Sequence, residues 1–265
     1  MFGDKIENKA QENSGIQFRS LNLWVWVTKA LVLREHTSSI NLTNKLIEWL
    51  DNPILSEKCS EAFSTILNNE VTDNSVLTNK TGANIKLLYR QRFFNTTIHT
   101  LKKKFNSDES QKMFYMMSII NMLNFLPKTL IQQHIKLMMP VLLYSLNNMN
   151  VKNESLWLSS LKSFEILINE TLDDNGQYFL EFTGEVLEKL LKMCRYEDNL
   201  YIRLLALKCL NNLALNLAPN KIIKHQKFVC KQLLPCLSDK KRVCRQVAVE
   251  ARNRWFLITT RTNEK

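Results

Sequence analysis

Residues 198–206 read DNLYIRLLA and residues 239–248 read DKKRVCRQVA. Each segment sets an Asp at a helix start, an Arg one to two turns later and an Ala three residues on. Arg203 and Arg245 are 42 residues apart, as are Ala206 and Ala248. An acidic residue at a helix start accepts orphan backbone N–H groups and suits the positive end of the helix dipole. The small Ala lets a neighbouring helix approach closely. The Arg can reach the Asp of the next unit, so a ladder of Asp–Arg contacts is expected. A second amphipathic helix lies between the two segments. Together these features predict a helical-hairpin repeat of HEAT or armadillo size.

Working outward, the fold class is all-α, a HEAT-like α-α superhelix. The chain of 265 residues can hold a stack of about six helix pairs. With only five Gly and five Pro, strands joined by tight turns are not expected. Residues 1–19 read as a flexible lead, 20–258 as one repeat domain and 259–265 as a polar tail. The Asn- and Thr-rich stretch 68–84 reads as a long loop. Apolar stripes at helical spacing fill the rest. They include Leu23, Val27, Ala30 and Leu31, broadened by Trp24 and Trp26, then Cys59, Ala62, Phe63, Ile66 and Leu67. Pro140 should kink or restart its helix. Trp157 falls where Arg203 and Arg245 stand, so that repeat is degenerate. The last helix points Cys244, Val247, Ala248, Ala251 and Trp255 inward. Its outer face is expected to be a cap or a docking surface.

Net charge is +11, and residues 221–265 alone carry twelve Lys/Arg against three acids. Such a segment must face something acidic or stay solvated. The six cysteines include no C-x-x-C pair and read as buried free thiols of a reducing compartment, the cytoplasm and nucleus. The first residues carry no apolar secretion signal, and no apolar run is long enough for a membrane span. No phosphate-binding loop, nucleophile elbow or paired metal-ligand motif occurs, so neither an enzyme nor a cofactor is expected. His225, Cys230 and Cys236 match no common zinc spacing. The Met group from 113 to 139 reads as core filling.

Three segments carry a resemblance. Residues 26–34 read WVTKALVLR, 90–94 read RQRFF, and 237–257 read LSDKKRVCRQVAVEARNRWFL. Together they resemble the C-terminal HEAT-repeat domain of the Mms-nineteen family, whose members are much longer. The resemblance implies a non-enzymatic adaptor of the cytosolic iron–sulfur protein assembly machinery. The implied partners are a WD-repeat propeller, a small MIP-eighteen-type factor and iron–sulfur apoprotein clients such as DNA helicases and polymerases. The residues proposed to bind partners are Lys240, Lys241, Arg242, Arg245, Arg252 and Trp255, with the intra-solenoid ladder as the competing role for Arg245. Direct nucleic-acid binding, or a direct part in transcription and nucleotide excision repair, is the alternative reading of the same basic end.

Overall fold

Helix formation starts earlier than the composition of the first residues suggests. The computed structural model describes residues 14–70, 77–107, 110–147, 154–170 and 176–259. Its first helix, α1 (Ser14–Leu33), already runs through the end of the expected lead, because Gln17 and Leu21 are buried on its inner face. That face continues through Val25, Lys29 and Val32. Leu23 and Val27 point outward instead. The helix is apolar on nearly all sides, so period alone could not select the buried side. Trp24 is engaged through its indole N–H, which donates to the Leu42 carbonyl at 3.1 Å, and through the Trp49 ring at 5.0 Å.

The chain divides into two compact units, Met1–Pro127 and Lys128–Lys265, where one continuous domain is expected. In the first unit α1, α3 (Ser56–Leu67) and α5 (Lys112–Leu123) pack side by side as one layer. The helices α2 (Ser38–Trp49) and α4 (Leu87–Ser107) form the other. Ile66, Phe63, Phe94, Ile98 and Met116 fill the space between. This is hairpin-on-hairpin packing, in which each helix buries one stripe against the next repeat. The long loop is pinned at both ends by Asn69: its carbonyl accepts from Asn79 N–H at 2.9 Å and its side chain from Ile85 N–H at 3.2 Å. Residues 71–76 of that loop lie outside the described residues, as does Asp108, which with Gln111 has the spacing of a capping box.

Lys29 is the unexpected member of this core. Its side chain is almost wholly buried. The ammonium donates to the carbonyls of Thr65, at 3.0 Å, and Asn68, where α3 ends. A cation there satisfies orphan carbonyls and suits the negative dipole end. Burial, with a smaller push from Arg90, holds its pKa at about 8.

The second unit repeats the two-layer plan. Helices α8 (Glu154–Glu170), α10 (Leu200–Asn216) and α13 (Arg242–Phe256) stack as one layer. Helices α7 (Ile135–Asn147), α9 (Gly176–Met193) and α12 (Gln226–Gln232) form the second. Short α6 (Lys128–Gln133) leads into α7, and α11 (Pro219–Ile222) leads toward α12. The expected break at Pro140 is displaced: the chain turns at His134, and Pro140 sits inside α7. Among the described residues there is no β-strand, and no helix is long and apolar enough to cross a membrane.

Candidate functional site

The start of α13 gathers the densest exposed charge. Lys240 and Lys241 lie in the turn before the helix, and Arg242 is its first residue; all three are exposed. Asp239 shapes this turn. One of its carboxylate oxygens accepts from Lys241 N–H at 2.7 Å, and the other accepts from Arg203 Nε at 2.8 Å. Both side chains of the Arg203–Asp239 pair are about nine-tenths buried. This is one rung of the expected ladder, joining α10 to the turn before α13.

The arginines also do something the periodicity did not reveal. Arg203 Nη1 donates to the carbonyls of Tyr196 and Glu197, at 2.9 and 3.0 Å. Arg245 Nη1 donates to those of Asp239 and Lys240, at 2.7 and 3.3 Å. In both repeats a guanidinium folds back over the turn preceding its own helix. The five fixed donors of that group suit such paired carbonyls. The acidic helix starts are corrected in detail. Asn199, not Asp198, caps α10, accepting from Tyr201 and Ile202 N–H, while Asp239 acts from two residues before α13's cap position.

At the degenerate repeat Glu154 replaces the rung. It accepts from Tyr196 Oη at 3.2 Å and from Asn199 Nδ2 at 2.6 Å. Trp157 packs edge-on against the Tyr196 ring at 5.0 Å.

Of the six residues proposed for partner binding, three stand together on the surface: Lys240, Lys241 and Arg242. Arg245 is beside them but half-buried, its guanidinium held by the turn. Arg252 is half-buried roughly 15 Å along α13 from Arg242. Trp255 takes the inward position expected for the last helix, which removes it from the partner-binding residues. It is fully buried, and its indole N–H donates to the Leu210 carbonyl at 2.8 Å. Its place as an exposed aromatic falls to the next residue, Phe256, which is 63% exposed. With Val249, seven residues earlier on the same side of the helix, it gives α13 an exposed apolar pair among the cations.

No set of His, Cys, Asp and Glu suited to a metal ion exists among the described residues. Cys236 lies instead beside Cys194, with its sulfur 3.9 Å from the Cys194 carbonyl oxygen. The two are 42 residues apart, the repeat spacing itself, which is the signal that could have paired them. Met116, Met117, Met122, Met138 and Met139 are all buried core.

Comparison with known proteins follows the same lines. Two crystal structures of engineered proteins share the fold. One has a TM-score of 0.60 at 14% identity, over 96% of this chain and 98% of that one. The other has 0.59 at 11%, over 97% of each. A family model described as "RNAPII transcription regulator C-terminal", MMS19_C, matches residues 2–214. The "MMS19 nucleotide excision repair protein homolog" of Xenopus tropicalis is 33% identical over 243 residues, covering 91% of this chain and 22% of that protein. The human protein of the same description is 31% identical over 257 residues, 96% of this chain and 24% of its own length. The "DNA repair/transcription protein mms19" of Schizosaccharomyces pombe is 30% identical over 242 residues, 90% of this chain and 22% of that protein. The chain thus spans about a quarter of the length of these relatives, and it belongs to the MMS19 family, corresponding to its C-terminal region.

Proposed function

We propose that this chain is a non-enzymatic adaptor of the cytosolic iron–sulfur assembly machinery. It docks the WD-repeat propeller and the MIP-eighteen-type factor, and helps deliver clusters to apoproteins of DNA replication and repair. The cluster is cargo here, carried by the partners. The observation that carries the reading is the placement of Lys240, Lys241 and Arg242 at the N-terminal end of α13. A cation there opposes the helix dipole by about 0.3–1 kcal/mol. Three adjacent cations at that end therefore work against the helix they begin, and an acidic partner surface offsets the cost. The exposed pair Val249 and Phe256 supplies the desolvated contact that interfaces need.

The test is a pulldown of the purified chain against the propeller and its small partner, without clients. Saturable binding is expected. The triple reversal Lys240→Glu, Lys241→Glu and Arg242→Glu should weaken it at least tenfold while the helical circular dichroism stays unchanged. Undiminished binding by the reversed chain removes this surface from the proposal.

A second reading has its own support in the descriptions of the relatives, which name nucleotide excision repair, DNA repair and transcription. The basic end would then contact nucleic acid directly. That reading requires affinity for DNA that falls steeply with salt, since phosphate neutralisation releases counterions. No DNA binding at low salt would end it.

A further inference from the structure

A groove of about 270 Å³ opens beside the Arg203–Asp239 rung, and two thiols line it. Cys194 closes α9, and Cys236 belongs to the 3-10 turn Leu234–Ser238 that leads to α13. Arg195, Arg203 and Lys240 line the same groove. The surroundings treat the two sulfurs differently. Cys194 is deeply buried, and burial, reinforced by the neighbouring Cys236 sulfur, raises its pKa well above the usual thiol range. Cys236, whose sulfur lies 3.9 Å from the Cys194 carbonyl oxygen, is pulled below it by the neighbouring Cys194 side chain and by Arg195. One sulfur is thus disposed to ionise, the other keeps its proton, and a solvent-connected channel reaches both. The other described cysteines differ. Cys59, Cys209 and Cys244 are wholly buried, and burial raises each of them; Cys230, though more exposed, is also raised by burial.

We propose that Cys194 and Cys236 form a modification site for hydroperoxides, closing reversibly to a disulfide. The Cys236 thiolate attacks one peroxide oxygen and the O–O bond breaks. The departing hydroxide takes a proton and leaves as water. The Cys236 sulfur, oxidised by two electrons, now carries a hydroxyl as a sulfenic acid. The Cys194 sulfur then attacks the Cys236 sulfur as its proton passes to the leaving hydroxyl. The S–S bond forms, the S–O bond breaks and a second water departs. Two thiols and one hydrogen peroxide thus become one disulfide and two waters. A dithiol reductant reverses the change by thiol–disulfide exchange. The bond would tie the end of α9 to the turn that presents Lys240, Lys241 and Arg242, bracing that turn when oxidant is present.

The experiment treats the reduced 265-residue chain with one equivalent of hydrogen peroxide, caps remaining thiols with an alkylating agent, and maps the peptides by mass spectrometry. A Cys194–Cys236 linked peptide is expected, formed before Cys230 is modified and removed by dithiothreitol. In Cys194→Ser, Cys236 should accumulate a sulfenic acid that dimedone captures; in Cys236→Ser, Cys194 should stay reduced. Oxidation of Cys230 ahead of the pair overturns the proposal, since simple exposure would then govern the reaction. So does equal dimedone capture in both variants. The wild-type arm decides the matter even if a serine variant folds poorly.

Discussion

Consider replacing Arg203 by Ala. Four hydrogen bonds end on its guanidinium: two to Asp239, at 2.8 and 3.5 Å, and two to the carbonyls of Tyr196 and Glu197. Both charged side chains are about nine-tenths buried, so solvent cannot take over. Removing the arginine leaves the carboxylate with only the Lys241 N–H and leaves two carbonyls without their donor, and should cost about 3–5 kcal/mol in the second unit. Asp239→Ala should cost less, about 2–3 kcal/mol, because the guanidinium keeps its two carbonyl partners while Lys241 N–H loses its acceptor. The double variant should fall short of the sum by about 1.5 kcal/mol or more, the coupling between the pair. Urea unfolding of the whole chain, read by amide hydrogen exchange in α10 and α13, measures each value without mixing in the first unit. Additive losses, or a loss below about 1 kcal/mol for Arg203→Ala, would refute the claim that this rung ties the repeats together.

Trp255→Ala should destabilise the second unit by about 3–5 kcal/mol through the cavity left against α10, whereas an interface role would leave thermal unfolding unchanged. Lys29 supplies a pH test. Its folded pKa of about 8 lies below its ordinary 10.5, so between those values the unfolded chain binds more protons. Stability of the first unit should therefore rise as pH climbs from about 8 to 10.5 and stay level just below 8. Lys29→Met should flatten that rise; an identical slope in urea titrations of both proteins would contradict the assignment. Glu35 closes α1 in the left-handed region, at φ 55°, with His36 N–H bonded to the Leu31 carbonyl at 3.0 Å. Glu35→Gly relieves that strain and loses only an exposed pair with Arg92. It should raise stability by up to about 1 kcal/mol, and a clear fall in melting temperature would argue that the ion pair dominates.

The fold was legible where small and large residues repeat at a fixed distance. Ala206 and Ala248, Arg203 and Arg245 mark positions at which geometry leaves few choices: a close helix approach, and a guanidinium over its own turn. The amphipathic stripe Cys59, Ala62, Phe63, Ile66 and Leu67 declared its buried side through its period alone. Helix α1 did not, because an apolar residue on each face carries no phase. Trp255 was the hardest to place. Its spacing from Cys244, Ala248 and Ala251 favours the core, but an Arg-rich helix ending in Trp-Phe also suits a surface anchor, and the bond to the Leu210 carbonyl shows which ring turns inward. The site's charge was readable as composition. Its arrangement was legible only in the Arg203–Asp239 rung; the second bond of Asp239, to Lys241 N–H, is local to the turn and leaves no periodic mark. Cys194 and Cys236 lay in view at the repeat spacing, but thiols at ordinary core positions look alike until their shared groove is seen.

The polar links between repeats in the second unit have a narrow reach. Arg203 meets Asp239 36 residues on, Glu154 meets Asn199 at 45, Trp255 meets Leu210 at 45, and Asn216 meets Ile168 at 48. A ribosome extending the chain therefore never leaves a helix waiting for a distant partner. Once about one further hairpin has emerged, the previous one can lock, and the growing chain carries at most one unsatisfied layer at a time. Short-range closure of this kind favours fast folding and limits the exposed apolar surface on which nascent chains aggregate. Truncation at a hairpin boundary should accordingly leave the earlier hairpins of the unit structured, whereas a cut inside the 36–48 residue span should unravel one layer and stop there.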